Sequence, residues 1–421
     1  MFFRWAGITA GPFIKRLAGP ESRRRAWTAW LMVWVALLAL LALVGPAIAA
    51  QSQELQLETE RITGLDLSQL DWSRVVVSAD LKTTAFVKTD GGWERLVVGD
   101  RPQREYGHIG AVSFTGESRK VVYAARSSGK WVLVTGDKES RQKFDAITEI
   151  VTGAKSDSVA YTGRRENRWV VMKNSSQLGE YEGVEHLAMS PDGEIVAFAA
   201  MRGKKWYCVK FTRGDSKMDE TGYAEIGAIA ICPVCKGVGY TARDGREWSI
   251  VLMDAKKGED RVKSTPFESI GRLVLNPAGK DFGYAATRGD RWRVVGPRGE
   301  GKPHDEIGEI AFSLDGGKIT YSARDGDEWK VVVDDTESEG YIRILGGGGP
   351  RFADGESRVL FAALKGDEPY RVQAVIKPAS VVTSPPDNPS GAVRGPCPGC
   401  SCPGLGSAHQ CRCGPHMGCM R

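Results

Sequence analysis

The chain has 421 residues, of which 42% are hydrophobic and 26% are charged, an ordinary composition for a globular protein. Residues 1–50 hold six Lys or Arg and one Glu, and the other 51 basic and 51 acidic residues cancel, so the formal net charge of +5 belongs to the N-terminal segment. A nucleic-acid-binding domain is expected to carry a basic excess of its own, and bulk charge gives no support for one here.

Residues 1–50 predict export. Basic residues, ending in the cluster Arg23–Arg25, precede an apolar run over residues 26–44, and Ala47-Ile48-Ala49 follows a Gly-Pro break. This order is typical of a secretory signal peptide. A run of about 19 apolar residues could instead stay uncleaved and attach the protein to the inner membrane, with the basic cluster in the cytoplasm. Both interpretations place the rest of the chain outside the cytoplasm, in the periplasm or secreted.

Residues 73–376 repeat three positions in register, at spacings of roughly 40 residues. A Trp, usually flanked by a charged residue and followed by Val, recurs at Trp93, Trp131, Trp169, Trp206, Trp248, Trp292 and Trp329, with Tyr370 in the eighth place. A second aromatic residue precedes it at Phe86, Tyr123, Tyr161, Phe198, Tyr240, Tyr284, Tyr321 and Phe361. An aliphatic residue stands 14 positions earlier at Ile109, Ile147, Val184, Ile226, Ile270 and Ile307.

Each repeat predicts a four-stranded antiparallel sheet. In the unit at 307–335, apolar segments alternate with turn signals at Asp315-Gly316 and Asp325-Gly326. Short strands at this spacing indicate an all-β fold, and a period near 40 is typical of a β-propeller. We therefore expect residues 51–377 to form a propeller of eight blades, with seven as the alternative, whose aromatic residues fill the spaces between blades.

The two ends of the repeat region predict how the ring closes. The last unit runs out near Lys377 without a complete final strand, while Trp72 lies 14 residues before Phe86, which is the spacing within the repeat. The segment before Trp72, with residues 65–72 at its end, therefore looks like the tail of a repeat that completes the last blade. Closure removes the exposed sheet edges, and we expect a monomeric ring.

Residues 187–198 contain Ser190-Pro191-Asp192-Gly193, and residues 276–279 and 313–316 carry weaker copies of the same turn. This pattern resembles the repeat of TolB-type, WD-like bacterial propellers. The resemblance covers about 305 residues and implies an exported protein that binds partners on its faces or along its central channel.

The repeat region shows no catalytic signature, because it has no Gly-x-Ser-x-Gly elbow and only three His, namely His108, His186 and His304, near the blade connections. Basic residues recur in the hairpins between second and third strands at Arg126, Arg164, Arg202, Arg243, Arg288, Arg324 and Lys365. Acidic residues recur in the blade connections at Asp145, Glu182, Glu225, Glu268, Asp305 and Glu306. Both loop types are expected on one face, either as solvated ion pairs or as a docking face for a protein.

A non-enzymatic binding or scaffolding module of the cell envelope is the leading hypothesis from these observations. The alternatives are an enzyme with its active site in the central channel, and a metal-handling protein that acts through its C-terminal tail. The sequence names no particular protein partner.

Nine cysteines fall in two groups and one single position, Cys208. Cys232 and Cys235 replace the Ser-Pro-Asp-Gly turn of the fifth unit, and we expect a local disulfide, with a redox or metal motif as the alternative. Residues 378–396 have the composition of a Pro/Ser/Gly linker. The tail over 397–421 has ligand types that suit zinc or copper, with a disulfide knot or disorder as alternatives. Its candidate ligands are Cys397, Cys400, Cys402, His409, Cys411, Cys413, His416 and Cys419.

Overall fold

The computed structural model describes residues 53–63, 70–116, 119–253, 262–265, 267–277, 279, 281–353 and 357–378. These residues form eight antiparallel sheets, which we call blades 1 to 8 in chain order. The first strands of successive blades contact one another around a ring, so they are the innermost strands. The all-β, eight-bladed propeller is confirmed, and the seven-bladed alternative is wrong.

Seven blades are four consecutive strands. Blade 1 comprises β2 (Val75–Val77), β3 (Thr84–Asp90), β4 (Trp93–Val98) and β5 (Arg101–Tyr106), after a 3-10 turn at Trp72–Arg74. Blade 2 comprises β6 (His108–Phe114), β7 (Val121–Ser127), β8 (Lys130–Thr135) and β9 (Lys138–Glu139). Blade 3 comprises β10 (Ala146–Thr152), β11 (Val159–Arg165), β12 (Arg168–Lys173) and β13 (Ser176–Tyr181). Blade 4 comprises β14 (Gly183–Met189), β15 (Ile195–Arg202), β16 (Lys205–Thr212) and β17 (Asp215–Met218).

The remaining blades follow the same order until the last. Blade 5 comprises β18 (Glu225–Ile231), β19 (Val238–Asp244), β20 (Glu247–Leu252) and β21 (Val262–Ser264). Blade 6 comprises β22 (Ser269–Leu275), β23 (Phe282–Arg288), β24 (Arg291–Gly296) and β25 (Gly299–Glu300). Blade 7 comprises β26 (Glu306–Phe312), β27 (Ile319–Asp325), β28 (Glu328–Val333) and β29 (Thr336–Glu337). Blade 8 comprises β30 (Arg343–Ile344), β31 (Arg351–Phe352), β32 (Arg358–Lys365), β33 (Glu368–Pro378) and the N-terminal β1 (Gln53–Arg61).

The N-terminal strand closes the ring. Strand β1 pairs antiparallel with β33 over its whole length, from Gln53 opposite Pro378 to Arg61 opposite Tyr370. The predicted closure by an N-terminal strand before Trp72 is confirmed, and the strand lies earlier in that segment than residues 65–72. The strand ends at Arg61, whereas Trp72 begins the 3-10 turn that enters blade 1, and residues 65–69 lie outside the described residues.

A second closure lies at the innermost strands of blades 8 and 1. The inner strand of blade 8 is split between β30 and β31 by a glycine-rich segment. Within that segment the Gly346 carbonyl accepts a hydrogen bond of 2.7 Å from the Val77 amide. A Cβ on Gly347, whose φ is +70°, would lie 2.5 Å from the Val77 carbonyl oxygen, so this close approach requires glycine.

Each of the eight interfaces between blades holds its own buried apolar cluster. Seven of them contain an edge-to-face ring pair, which contributes beyond the buried area alone. The pairs are Tyr106–Tyr123, Phe144–Tyr161, Tyr181–Phe198, Tyr223–Tyr240, Phe267–Tyr284, His304–Tyr321 and Tyr341–Phe361. The second aromatic position of the repeat therefore fills the spaces between blades, as predicted.

The repeated Trp lies over a bulge in the innermost strand of its own blade. In blade 5 the register shifts between Ile226 and Ile229, and a Cβ on Gly227 would lie 2.7 Å from the Trp248 ring. Blades 2, 6 and 7 repeat this arrangement with Gly110–Trp131, Gly271–Trp292 and Gly308–Trp329. Glycine at the bulge thus leaves room for the indole.

The Trp pattern fails in the first and last blades. In blade 2, the residue three positions after the buried aromatic residue pairs with Trp131 across the hairpin. The equivalent residue pairs with Glu94 in blade 1 and with Pro369 in blade 8. Trp93 and Tyr370, which the sequence places in the Trp position, are therefore one residue out of register. Trp93 is consequently 57% exposed and does not fill an interface.

Candidate binding face

The loops of the propeller emerge on two opposite faces. His108 at the start of β6 pairs with Arg126 at the end of β7. The connections between blades therefore lie at the same end of the strands as the hairpins between second and third strands. We call the face of the ring that these loops form the hairpin face. Its hairpins span residues 89–93, 126–130, 164–168, 201–205, 243–247, 287–291, 324–328 and 364–368. The opposite face, formed by the other turns, is the turn face.

Several of the recurring charges form ion pairs on the hairpin face. Arg324 lies 2.9 Å from Glu306, Lys365 lies 2.6 Å from Glu339, and Arg243 pairs with Glu225. Such exposed pairs contribute about 0–1 kcal/mol each. The predicted surface ion pairs are therefore present in part.

Carboxylates of the blade connections also hold the hairpin backbone. Asp145 accepts a hydrogen bond of 2.7 Å from the Glu166 amide. Glu182 accepts one of 3.0 Å from Gly203, and Asp305 accepts one of 2.7 Å from Gly326. These acidic side chains fix the shape of the hairpins, so their recurrence has a structural cause.

Other charges on the face have no such partner. Within the part of the chain that the structure describes, no carboxylate forms an ion pair with Arg126, Arg202 or Lys204, and all three side chains are exposed. In blades 1 and 7 of the same face, Asp90 and Asp327 are likewise exposed and lack a cationic partner among the described residues. Uncompensated charges of both signs are thus available to a partner.

Large exposed apolar side chains lie on both faces. Trp93, at 57% exposed, is in the hairpin of blade 1, and Ile342, at 54%, is in the connection into blade 8. Val234 and Leu314 lie on the turn face. On the hairpin face, Trp93 and Ile342 therefore lie on the same surface as the unpaired hairpin charges described above.

A polar cluster in blade 1 takes the place of the Trp–Gly contact. Arg74 donates to both Glu94 carboxylate oxygens, at 2.7 and 2.9 Å, and to the Ile109 carbonyl at 2.6 Å. Glu94 also accepts from the Ile109 amide at 2.6 Å, and His108 Nδ1 lies 3.1 Å away. The Arg74 hydrogen bonds lower the pKa of Glu94 to about 2, against the effect of burial, so the group is a carboxylate at neutral pH.

Sequence reasoning did not identify this cluster. Its one signal is the spacing in the first repeat, where Trp93 follows Phe86 by seven residues whereas Trp131 follows Tyr123 by eight. That difference places Glu94 in the Trp position. The cluster links blades 1 and 2 through Ile109, and this makes it a structural feature rather than a binding site.

The three His of the ring occupy three separate blades. His108 is exposed beside Glu94, and His186 has a positive φ of 57° and lies 3.9 Å from Glu185. His304 replaces the aromatic residue of the blade 6–7 interface, is 2% exposed, and places Nδ1 2.7 Å from Asp325. The structure does not bring them together as a catalytic group.

Charged residues near the ring axis connect neighbouring inner strands. Glu149 of β10 accepts hydrogen bonds from the backbone amides of His186 and Leu187 in β14, at 3.2 and 2.7 Å. Arg272 of β22 lies 2.9 Å from Glu309 of β26. These contacts join blade 3 to blade 4 and blade 6 to blade 7, so the carboxylates have structural partners.

Cys232 and Cys235 form a disulfide in the strand 1–2 turn of blade 5, with their Cα atoms 5.5 Å apart. The equivalent turn of blade 4 is held by side-chain hydrogen bonds, in which Ser190 Oγ donates to Asp192 at 2.6 Å. The covalent bond thus replaces that hydrogen-bonded turn. Cys208 is buried within β16.

Several predicted features lie outside the described residues. They are the export segment at 1–50, the linker at 378–396 except Pro378, and every candidate metal ligand from Cys397 to Cys419. Among the residues that are described, His, Cys, Asp and Glu do not gather in groups of three that could hold a metal ion. Nor does that same part of the chain contain a helix long and apolar enough to span a membrane.

Comparison with known proteins does not assign this chain to a family. No family model matches the sequence, and no curated protein matches it. A solved structure of the Dos1 propeller is similar with a TM-score of 0.47 and 11% identity, over 76% of this chain and 94% of that one. This likeness adds no argument, and the fold rests on the strand order of the eight sheets. The TolB-type resemblance stays an expectation.

Proposed function

We propose that the protein is an exported, non-enzymatic β-propeller that binds a protein of the cell envelope through its hairpin face. The exposed Trp93 carries this proposal, because it stands beside hairpin charges without partners. Large aromatic and Arg side chains contribute most of the binding energy in protein interfaces, and exposed apolar groups within a charged surface are typical of such sites.

The charged groups near the ring axis have partners that favour a binding role over catalysis in the central channel. Glu149 and Glu309 contact the neighbouring blade rather than a His or a nucleophile. General acid–base chemistry requires titratable groups that converge on one reacting atom. Export is supported by the charge and hydropathy order of residues 1–50 alone.

A metal site in the tail is a separate proposal, supported by the six Cys and two His between 397 and 421. Elemental analysis of the reduced, purified full chain tests it. We expect near-stoichiometric zinc or copper, which is lost when all six tail Cys are replaced by Ser. Metal-free protein, or metal retained by that variant, contradicts the proposal.

Site-specific photo-crosslinking in cells of the source organism tests the binding face. A photoreactive phenylalanine derivative at Trp93 or Arg202 is expected to give a covalent adduct with another polypeptide. The same group at Leu314 or Val234 on the turn face is the matched control and is expected to give none. Adducts from the turn face alone, or from neither face, contradict the proposal.

A further inference from the structure

We infer that the hairpin face binds the hairpin face of a second copy of this chain. The inference rests on the proposed binding face and names its partner. It departs from the monomer expected for a closed ring, because closure satisfies the sheet edges but leaves part of the charge on the hairpin face uncompensated.

The charges of the hairpins divide the face into two arcs. The hairpins of blades 2, 3 and 4 (126–130, 164–168 and 201–205) hold eight Lys or Arg and one Glu, a net charge of +7. The hairpins of blades 7, 8 and 1 (324–328, 364–368 and 89–93) hold two basic and six acidic residues, a net charge of −4. Blades 5 and 6 (243–247 and 287–291) hold four basic and three acidic residues. We call the first set the basic arc and the second the acidic arc.

A two-fold axis makes such a face complementary to itself. When two rings stack face to face about an axis in the plane of the face, the blade order of one copy runs opposite to that of the other. An axis through the boundary between blades 1 and 2 places blade 2 opposite blade 1, blade 3 opposite blade 8, and blade 4 opposite blade 7. Each basic hairpin then meets an acidic hairpin of the partner, and each pairing occurs twice.

The residues without partners lie at the positions that this arrangement brings together. Arg126 of blade 2 faces blade 1, which carries Asp90, and Arg202 and Lys204 of blade 4 face blade 7, which carries Asp327. All of these side chains are exposed. Opposite charges across an interface fix its orientation and exclude mismatched partners.

Trp93 lies next to the proposed axis. It belongs to the blade 1 hairpin, so its partner hairpin is 126–130, which carries the exposed Arg126. A cation over an indole ring is a favourable contact, and the ring also supplies apolar area. The chain beyond residue 50 has no net charge, so overall repulsion does not oppose pairing.

The test measures the mass of the full chain by light scattering, in non-ionic detergent, at low and high salt. We expect a dimer at about 20 mM NaCl that dissociates at about 500 mM, because salt screens exposed charges. Reversal of the basic arc by R126E/R202E/K204E is expected to weaken dimerisation at least about tenfold, as is reversal of the acidic arc by D90K/D327K/D367K. An equimolar mixture of the two variants is expected to recover a dimer.

The matched control reverses three exposed basic residues on the turn face, R101E/K138E/K155E, and is expected to dimerise like the wild type. A wild-type chain that stays monomeric at low salt overturns the inference. So does a dimer that resists both reversals, or a mixture of the two variants that stays monomeric.

The outcomes separate this inference from the proposed function. If Trp93 crosslinks to a different protein in cells while the purified chain is monomeric, the binding face stands and the second copy does not. Binding of the purified wild type to anionic lipid vesicles or to an acidic oligonucleotide, without dimerisation, assigns the basic arc to another partner class and also overturns the inference. If the hairpin face gives no adduct and no dimer, both proposals fail.

Discussion

Glu94 shows how one residue departs from a repeat without loss of the fold. The repeat predicts an aromatic residue at this position, and blades 2, 5, 6 and 7 place Trp near a bulge Gly of the inner strand. Blade 1 uses Arg74 and the Glu94 carboxylate instead, joined to the backbone of Ile109. Composition and period cannot reveal this exchange, because it depends on a one-residue difference in hairpin register.

The pKa of Glu94 gives a prediction for stability at acid pH. Since its folded value of about 2 lies below the ordinary 4.5, the stabilisation is complete above about pH 4.5 and is lost as the pH falls toward 2. Glu94→Gln is expected to cost about 2–3 kcal/mol at pH 7 and to flatten this decline. Denaturant unfolding between pH 2 and 7 measures the free energy of unfolding of each variant. Asp100→Asn, in an exposed turn, is the control. Equal decline in Glu94→Gln and wild type contradicts the assignment.

Gly227 permits a second prediction at this scale. A Cβ here would lie 2.7 Å from Trp248 and 2.9 Å from Thr241 Oγ1, so Gly227→Ala is expected to destabilise by about 1–3 kcal/mol. Trp248→Leu should make the substitution less costly, because the two positions are coupled. Gly107→Ala, whose Cβ would lie 3.6 Å from its nearest neighbour, is the control. Additive losses in the double variant would show that the contact is unimportant.

At the scale of elements, the turns were predictable where their chemistry is local. Asp-Gly pairs between apolar runs mark hairpins, because these residues tolerate the backbone angles a tight turn needs. The closing strand was predictable as a segment before Trp72, but its end residues and its register were not. Gln53–Arg61 pairs with residues more than 300 positions away, and outermost strands lack the aromatic signature of the repeat. Their sequence therefore gives no register.

The disulfide turn of blade 5 is expected to be interchangeable with the hydrogen-bonded turn of blade 4. The triple substitution Cys232→Ser, Val234→Asp and Cys235→Gly recreates Ser-Pro-Asp-Gly and should keep the melting temperature while removing its sensitivity to reductant. The double variant Cys232→Ala/Cys235→Ala has neither the disulfide nor the hydrogen-bonded turn. Its melting temperature should be lower than those of the wild type and the triple variant. Thermal unfolding with and without a dithiol measures this. If the alanine variant melts like the wild type, the turn does not contribute to stability.

The closing strand allows a matched pair of substitutions. Leu57 packs on the apolar cluster between blades 7 and 8, and Gln56 beside it is exposed. Leu57→Asp is expected to lower the melting temperature by burying an unpaired charge, whereas Gln56→Asp should leave it nearly unchanged. Calorimetry of the full chain decides between them. Equal melting temperatures for both variants would mean that β1 does not hold blade 8 together.

At the scale of the whole molecule, the eight blades were predictable because the repeat carries its own register. The distribution of charge over the faces was not, since it depends on which hairpins have partners in neighbouring connections. Arg126 and Arg324 occupy the same place in the repeat, yet only Arg324 has a carboxylate partner among the described residues. Which charges of the hairpin face stay unpaired can therefore be seen only in the folded ring.

Electron cryomicroscopy of the full chain at low ionic strength tests the central claim most directly. We expect pairs of eight-bladed rings stacked through their hairpin faces, with Trp93 at the junction and β1 as the outer strand of blade 8. Pairs joined through the turn face, or isolated rings with the hairpin face bare, would contradict the account of this surface as the site of binding.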